Sequence, residues 1–232
     1  MNNKLASVAL IKKSPRFIVF FAMSLLVFWG LACMPCFSQE RDSSVILDKQ
    51  ASLVSSNASV GNALFSLSNL AKVPIGFIGV AGEDENPKKI SVKVMRRTVR
   101  EVLDEIVKSD NRYKWEIVDG IINVYPVSSS NCNISELTIG FLQLSEIEVS
   151  KVGVAILKSP EIHINLEAMG KKATEGIVYS GPKIKHGKIS VVLSNIQIRD
   201  ALNGILSRGE ARFWTIETIG KRDEFVRLML ID

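Results

Sequence analysis

Two stretches of the chain alternate apolar and polar residues and then switch to helical spacing. Ile90, Val92 and Val94 alternate with Ser91 and Lys93, and Ile189, Val191 and Leu193 follow the same rhythm around Ser190. A period of two is that of a half-buried strand. Val99, Val102, Leu103, Ile106 and Val107 then recur at helical spacing, as do Ile198, Ala201, Leu202, Ile205 and Leu206, so each strand predicts a following amphipathic helix. Thr98 with Glu101 forms a capping box that starts the first helix, whereas Gln197 leaves the second without that cap. Asp119-Gly120 between Tyr113–Val118 and Ile121–Tyr125 predicts a tight hairpin. A longer connection over residues 220–224 precedes a strand from Phe225 to Ile231.

These blocks are copies. Displaced by 99 residues and without a gap, 90–118 lies over 189–217 with eight identical positions: Ile90/Ile189, Ser91/Ser190, Val92/Val191, Arg100/Arg199, Leu103/Leu202, Ile106/Ile205, Trp115/Trp214 and Ile117/Ile216. An internal repeat must be recognised first because it sets the architecture. Upstream of the first block, Val60, Ala63, Leu64, Leu67, Leu70 and Ala71 predict a helix, with a strand from Ile75 to Val80 after Pro74. Upstream of the second, Ser145 and Glu148 read as a capping box for a helix carrying Val149, Val152, Gly153, Ile156 and Leu157. A strand from Ile162 to Leu166 is expected after Pro160. Both repeats thus read β-α-β-β-α-β-β, an α+β class of two tandem small modules, each a mixed sheet with two helices. The expected boundaries are 45–127 for the first module, a serine-rich linker at 128–133 and 134–232 for the second, divergent module.

The leader differs from both. Lys12, Lys13 and Arg16 precede an uncharged run from Phe17 to Cys33, and small residues Cys36 and Ser38 follow before the charged Glu40-Arg41-Asp42. That order predicts a secretory signal peptide over 1–38, cut after Ser38. Two other readings stay open. The run could be kept as an inner-membrane anchor, being close to the lower length limit for a spanning helix. Alternatively, Gly30-Leu31-Ala32-Cys33 could serve as a lipobox with Cys33 lipidated. Each places the remainder in the periplasm or another exported compartment.

Charge follows the same division. The 232 residues carry 29 Lys plus Arg against 24 Asp plus Glu, a formal +5. Four bases and no acid lie in 1–38, while residues 39–127 hold 12 of each and residues 128–232 hold 13 bases and 12 acids. The repeats are near neutral, so no surface built to neutralise nucleic-acid phosphates is expected. Membrane contact is expected only through the leader. With 47% hydrophobic residues, the chain has ample material for a core.

The run Lys89-Ile-Ser-Val-Lys-Val, then Thr98-Val-Arg-Glu-Val-Leu-Asp-Glu-Ile, then Tyr113-Lys-Trp and Gly120-Ile-Ile-Asn-Val-Tyr-Pro126, resembles the short N-terminal (STN) domain shared by secretins and TonB-dependent transducers. The helix from Asn62 to Ala71 fits that family's opening helix, and the resemblance covers 45–126 with a weaker second copy at 134–231. It implies an exported, non-catalytic domain that docks an envelope protein, accessory to a secretin-like transport or TonB-linked signalling assembly. Pore or barrel segments, which follow this domain in that family, are not expected in the pattern up to Asp232.

Candidate chemistry is sparse. His163, flanked by Ile162 and Ile164, reads as a solvated strand residue, and His186 falls in a basic loop with no second ligand at useful spacing. Cys132 lies in the expected linker, and the leader takes the other two cysteines. Neither a nucleophile elbow, a zinc-protease helix nor a phosphate loop occurs. Glu83-Asp84-Glu85 reads as a solvated loop. No enzyme activity, cofactor or metal is expected. Lys88, Lys89, Lys93, Arg96, Arg97 and Arg100 form a candidate docking patch for an acidic partner, or an exposed face balanced by Glu101, Asp104 and Glu105. Arg100 and Arg199 could pair with carboxylates or cover an aromatic strand. Matched Trp115 and Trp214, with Leu103 and Leu202, are expected to be structural. Sheet edges offer strand addition as a binding mode. The alternative function is a small-molecule or cell-wall glycan binder using the cleft between modules.

Overall fold

The computed structural model describes residues 43–82, 88–128, 131–174, 187–220 and 222–231. The leader over 1–38, the loop holding Glu83–Glu85 and the loop holding His186 lie outside the described residues, as does the side chain of Cys132. A short helix α1 (Ser43–Leu47) leads into β1 (Gln50–Ala58), α2 (Val60–Ala71), β2 (Ile75–Ile78), β3 (Ile90–Thr98), α3 (Val99–Ser109), β4 (Tyr113–Val118) and β5 (Ile121–Pro126). The second half runs α4 (Asn131–Ser135), β6 (Thr138–Glu148), α5 (Val149–Leu157), α6 (Pro160–Ala168), β7 (Lys172–Ala173), β8 (Lys188–Gln197), α7 (Ile198–Ser207), β9 (Phe213–Ile219) and β10 (Phe225–Ile231). The class is α+β.

Each repeat divides its strands in the same way. β1 with β3, and β6 with β8, make two antiparallel two-stranded ribbons, while the other strands join one mixed sheet in the order β4-β5-β2-β9-β10-β7. The first repeat supplies β4-β5-β2 and the second supplies β9-β10-β7, joined by parallel pairing of β2 with β9. Alternation along the strands sends successive residues to opposite faces. Ile122, Val124, Ile75 and Phe77 therefore enter a core with α2 and α3, whereas Ile121, Ile78, Trp214 and Ile216 enter a second core with α5 and α7. The two cores lie on opposite faces of the shared sheet.

Local signals explain most elements. Thr98 accepts from the Glu101 backbone while Glu101 accepts from Thr98, completing the capping box of α3. Gln197 makes no side-chain cap on α7. Asp119 and Gly120 take φ of 52° and 74°, the left-handed pair that a two-residue hairpin needs. The two identical serines do the same work in their ribbons. Ser91 Oγ accepts from Asn57 N at 3.3 Å and Ser190 Oγ from Glu146 N at 3.0 Å. Both donor residues sit at φ near 50° where a ribbon bulges. The hydroxyl satisfies an amide that the bulge removes from the ladder.

Three expectations need correction. The span 162–166 is helical: Ile162 and Leu166, four apart, are both buried, while Ile164 is 65% exposed. Pro160, whose fixed φ suits the first helical turn, marks the start of α6, and the strand is only β7. The Ser145–Glu148 capping box is absent, because Ser145 lies within β6 and Glu148 is the N-cap without a side-chain bond. In the stretch 128–133 expected as a linker, Asn131 opens α4, is buried and donates from Nδ2 to Gly79 O at 2.8 Å.

Candidate functional site

The six basic residues do not gather at one place: Lys93 and Arg97 share a groove, and Lys88 lies away from it. Lys88 precedes β3 and Arg97 stands near its far end, a span of at most about 30 Å at the rise of an extended strand. Lys88 Nζ reaches Asp110 Oδ1 at 3.4 Å beyond the end of α3, while Arg97 Nη1 reaches Glu101 Oε1 at 3.2 Å at its start. Lys89, Lys93 and Arg96 are exposed, and Arg96 stands at a bulge, its amide donating to Ser52 Oγ at 2.9 Å. Lys93 and Arg97 share a shallow groove with Glu101 and Glu105. The face is a mixed-charge one. Hydrogen bonds from the Thr98 backbone and hydroxyl, helped by Arg97, hold the Glu101 carboxyl below its ordinary range. Asp110 is buried, which by itself raises its pKa, yet Arg112 side-chain and backbone bonds and the Arg112 and Lys88 charges bring it below the ordinary range. Arg112 grips it with Nε at 2.9 Å and Nη2 at 2.6 Å.

His163 is exposed on α6 with Nε2 3.4 Å from Glu167 Oε1. Among the described residues, no three His, Cys, Asp or Glu side chains gather as a metal site would require. A pocket of about 190 Å³ lies where the repeats meet, between Gly61, Phe77 and Tyr113 of the first and Glu217, Thr218 and Arg227 of the second. Its guanidinium and carboxylate neutralise one another, with Arg227 Nε 3.2 Å from Glu217 Oε2.

The repeat itself exposes the site that differs most from its surroundings. Leu103/Leu202 and Ile106/Ile205 are buried in both copies, as are Ile90/Ile189 and Val92/Val191. Trp115/Trp214 and Ile117/Ile216 break that symmetry. Trp214 and Ile216 are fully buried, whereas Trp115 and Ile117 are only partly buried against the core of the first repeat. Both pairs lie on one strand, β4 in the first copy and β9 in the second. β9 is flanked by β2 and β10, but among the described residues β4 pairs with β5 alone.

Trp115 and Trp214 are anchored alike. Trp115 Nε1 donates to Asp104 Oδ1 at 3.0 Å, and Trp214 Nε1 donates to Asn203 Oδ1 at 2.9 Å, acceptors that are themselves one repeat apart. Their outer faces diverge. Trp214 lies so close to Gly76 of β2 that a Cβ there would stand 2.3 Å from the indole. Trp115 instead carries Arg100, its guanidinium carbon 5.9 Å from the ring centroid. The matching Arg199 turns to Asp200, Nε to Oδ1 at 3.6 Å. The two arginines thus take the two roles left open by their spacing.

Backbone groups complete the edge. In the tight hairpin the residues flanking the turn bond each other, and bonded and non-bonded pairs then alternate. Trp115 and Ile117 fall in the non-bonded pairs with Val124 and Ile122, so their amide and carbonyl groups point away from β5. At β9 the equivalent groups are used: Ile216 O accepts from Gly79 N at 2.9 Å. Trp115 packs on the core of the first repeat as its matched position suggests, and among the described residues its strand has no neighbour on the side away from β5.

Compared with models of protein families and with curated proteins, the chain matches none. Among the described residues, no helix is long and apolar enough to cross a membrane.

Proposed function

We infer that the chain is an exported, non-enzymatic protein-interaction module of the STN type, accessory to an envelope transport or TonB-linked signalling assembly, and that it docks its partner by strand addition at the β4 edge. The observation that carries this reading is the burial difference between Trp115 and Trp214 at matched positions. An exposed edge with an aromatic platform supplies both main-chain hydrogen bonds and a side-chain anchor. The leader over 1–38 directs export, with cleavage after Ser38. The mass of the mature N-terminus separates that outcome from a retained anchor or lipidation at Cys33.

The glycan-binding alternative has less support. A pocket of about 190 Å³ lies below the roughly 300–1,000 Å³ of ordinary ligand pockets, and its Arg227 is already engaged by Glu217.

The test is capture from envelope extract with three baits: wild type, Ile117→Pro and a Lys93/Arg96/Arg97 charge reversal. Proline removes an edge-facing donor, a change edge strands tolerate. A specific partner lost with Ile117→Pro and kept with the charge reversal is expected. Equal recovery by wild type and Ile117→Pro defeats docking at this edge.

A further inference from the structure

Each copy forms a groove beside the second strand of its ribbon, and the two grooves differ in charge. In the first copy the groove lies between β3 and α3, lined by Lys93, Arg97, Glu101 and Glu105. In the second it lies between β8 and α7, and the residues one repeat on are Val192, Ile196, Asp200 and Gly204. Two charged side chains of the strand have become aliphatic, and one of the helix has become a glycine. Val192 is 59% exposed, while Val191, Leu193 and Ile205, which also line the groove, are buried. Glycine inside a helix is destabilising, and no neighbour in the described fold requires it at 204. A Cβ at Gly204 meets nothing within 4 Å, whereas one at Gly153 of α5 would strike the Leu228 backbone. The groove measures about 260 Å³, below the ordinary size of a pocket for a compact ligand but open along a strand. Among the described residues β8 pairs with β6 alone, so alternate backbone groups on its other edge have no ladder partner there.

We propose that the β8–α7 groove is a second docking site, separate from the β4 edge, holding an extended partner segment antiparallel to β8 whose alternate apolar residues are followed by an acidic one. Strand addition beside a helix satisfies the free backbone edge and drops side chains into the groove. Side chains on one face of an added strand recur every second residue, which fixes the apolar spacing. Charge sets the direction. α7 begins where β8 ends, so Asp200 marks the Ile196 end of the groove and Arg208 the Val191 end. Both charged residues are exposed, and Asp200 already has Arg199 Nε at 3.6 Å from Oδ1. A segment antiparallel to β8 finishes at the Val191 end, where the full positive charge of Arg208 outweighs the half negative charge of the helix terminus. The reverse placement would set the acid beside Asp200. Gly204 leaves the room between these two ends that Glu105 fills in the first copy.

Fluorescence anisotropy tests this with a labelled hexapeptide, carrying valine at its second and fourth positions, serine elsewhere and glutamate last, titrated with the full chain. Saturable binding is expected, and Gly204→Leu weakens it at least about tenfold by filling the groove. The same variant does not lower the thermal midpoint, because leucine is the better helix former and its Cβ enters open space. Gly204→Ala gives the same direction of change in binding should Gly204→Leu not fold. A peptide ending in lysine binds wild type about threefold more weakly, the scale of an exposed ion pair, and Arg208→Glu reverses the order of the two peptides. Absence of saturation by wild type up to about 1 mM overturns the site. Equal binding by wild type and Gly204→Leu overturns it too, as does loss with Ile117→Pro alone, which assigns the peptide to the β4 edge. Equal affinity for the two peptides overturns the acidic end of the partner segment. Self-association of the chain that Gly204→Leu abolishes overturns the partner segment in favour of a second copy.

Discussion

β4 and β9 are the same strand written twice, and they differ in what lies beside them. Trp115 and Trp214 share their indole acceptor position, and Ile117 and Ile216 share their side-chain type, yet one pair is only partly buried and the other is sealed. Burial at these positions is set by a neighbouring strand and not by the local sequence. A duplicated module therefore carries an internal control. Where the copies agree, the residue serves the fold; where identical residues differ in environment, one copy retains a surface that the other has consumed.

Truncating the paired tryptophans strains that comparison most. Trp214→Ala removes a fully buried ring packed on Gly76 and bonded to Asn203, and should cost about 3–5 kcal/mol in chemical denaturation. Trp115→Ala, at the uncovered strand, should cost roughly 1–2 kcal/mol because part of its surface is already in water. Equal losses would mean that β4 is covered as β9 is.

Asp110 offers a contrast within the first repeat. Arg112→Ala leaves a buried carboxylate with the 3.4 Å contact to Lys88 and the backbone amide of residue 112, and should cost about 2 kcal/mol. Because the folded-state pKa lies below the unfolded value, this stabilisation is present above the unfolded pKa of about 3.9 and disappears as pH falls through the folded pKa. Unfolding followed from pH 7 to pH 2 should show wild type and Arg112→Ala converging at the acid end. A constant gap would assign the loss to packing.

Glycine pairs sharpen the junction itself. Gly76→Ala drives a Cβ to 2.3 Å from the Trp214 indole and should destabilise by about 1–3 kcal/mol. Gly204→Ala, in α7 with open space around it, should stabilise by about 0.5–1 kcal/mol. Thermal melts that rank the two in the reverse order would contradict the close approach of β2 to β9.

Helix caps give the smallest effect. Thr98→Ala should cost about 1 kcal/mol by opening the capping box, while Gln197→Thr should gain a few tenths by installing one on α7. Denaturation midpoints moving in the same direction for both would deny that the caps distinguish the repeats.

The repeat, the α+β class, the capping box at Thr98 and the Asp119–Gly120 hairpin were legible because each rests on local spacing. The segment after Pro160 was not, since Ile162, Ile164 and Leu166 satisfy both alternation and an i, i+4 helical pair. Only the tertiary choice to bury Ile162 and Leu166 while leaving Ile164 in water decides it. The pairing of β2 with β9 was hidden more deeply. It joins residues 138 positions apart at Gly76 and Trp214, and the one residue that signals it, Gly76, reads in sequence as an ordinary glycine within an apolar run. The spread of the basic residues was hidden for a related reason: an extended chain carries Lys88 away from Lys93 and Arg97, which share a groove with Glu101 and Glu105.

Amide hydrogen exchange at Trp115, Ile117, Trp214 and Ile216 tests the central claim most directly, read in the isolated chain and in the native envelope assembly. The open-edge account predicts that Trp214 and Ile216 are protected in both states, and that Trp115 and Ile117 exchange fast in the isolated chain but slow in the assembly. Protection of Trp115 and Ile117 in the isolated chain, or fast exchange in the assembly, would contradict it.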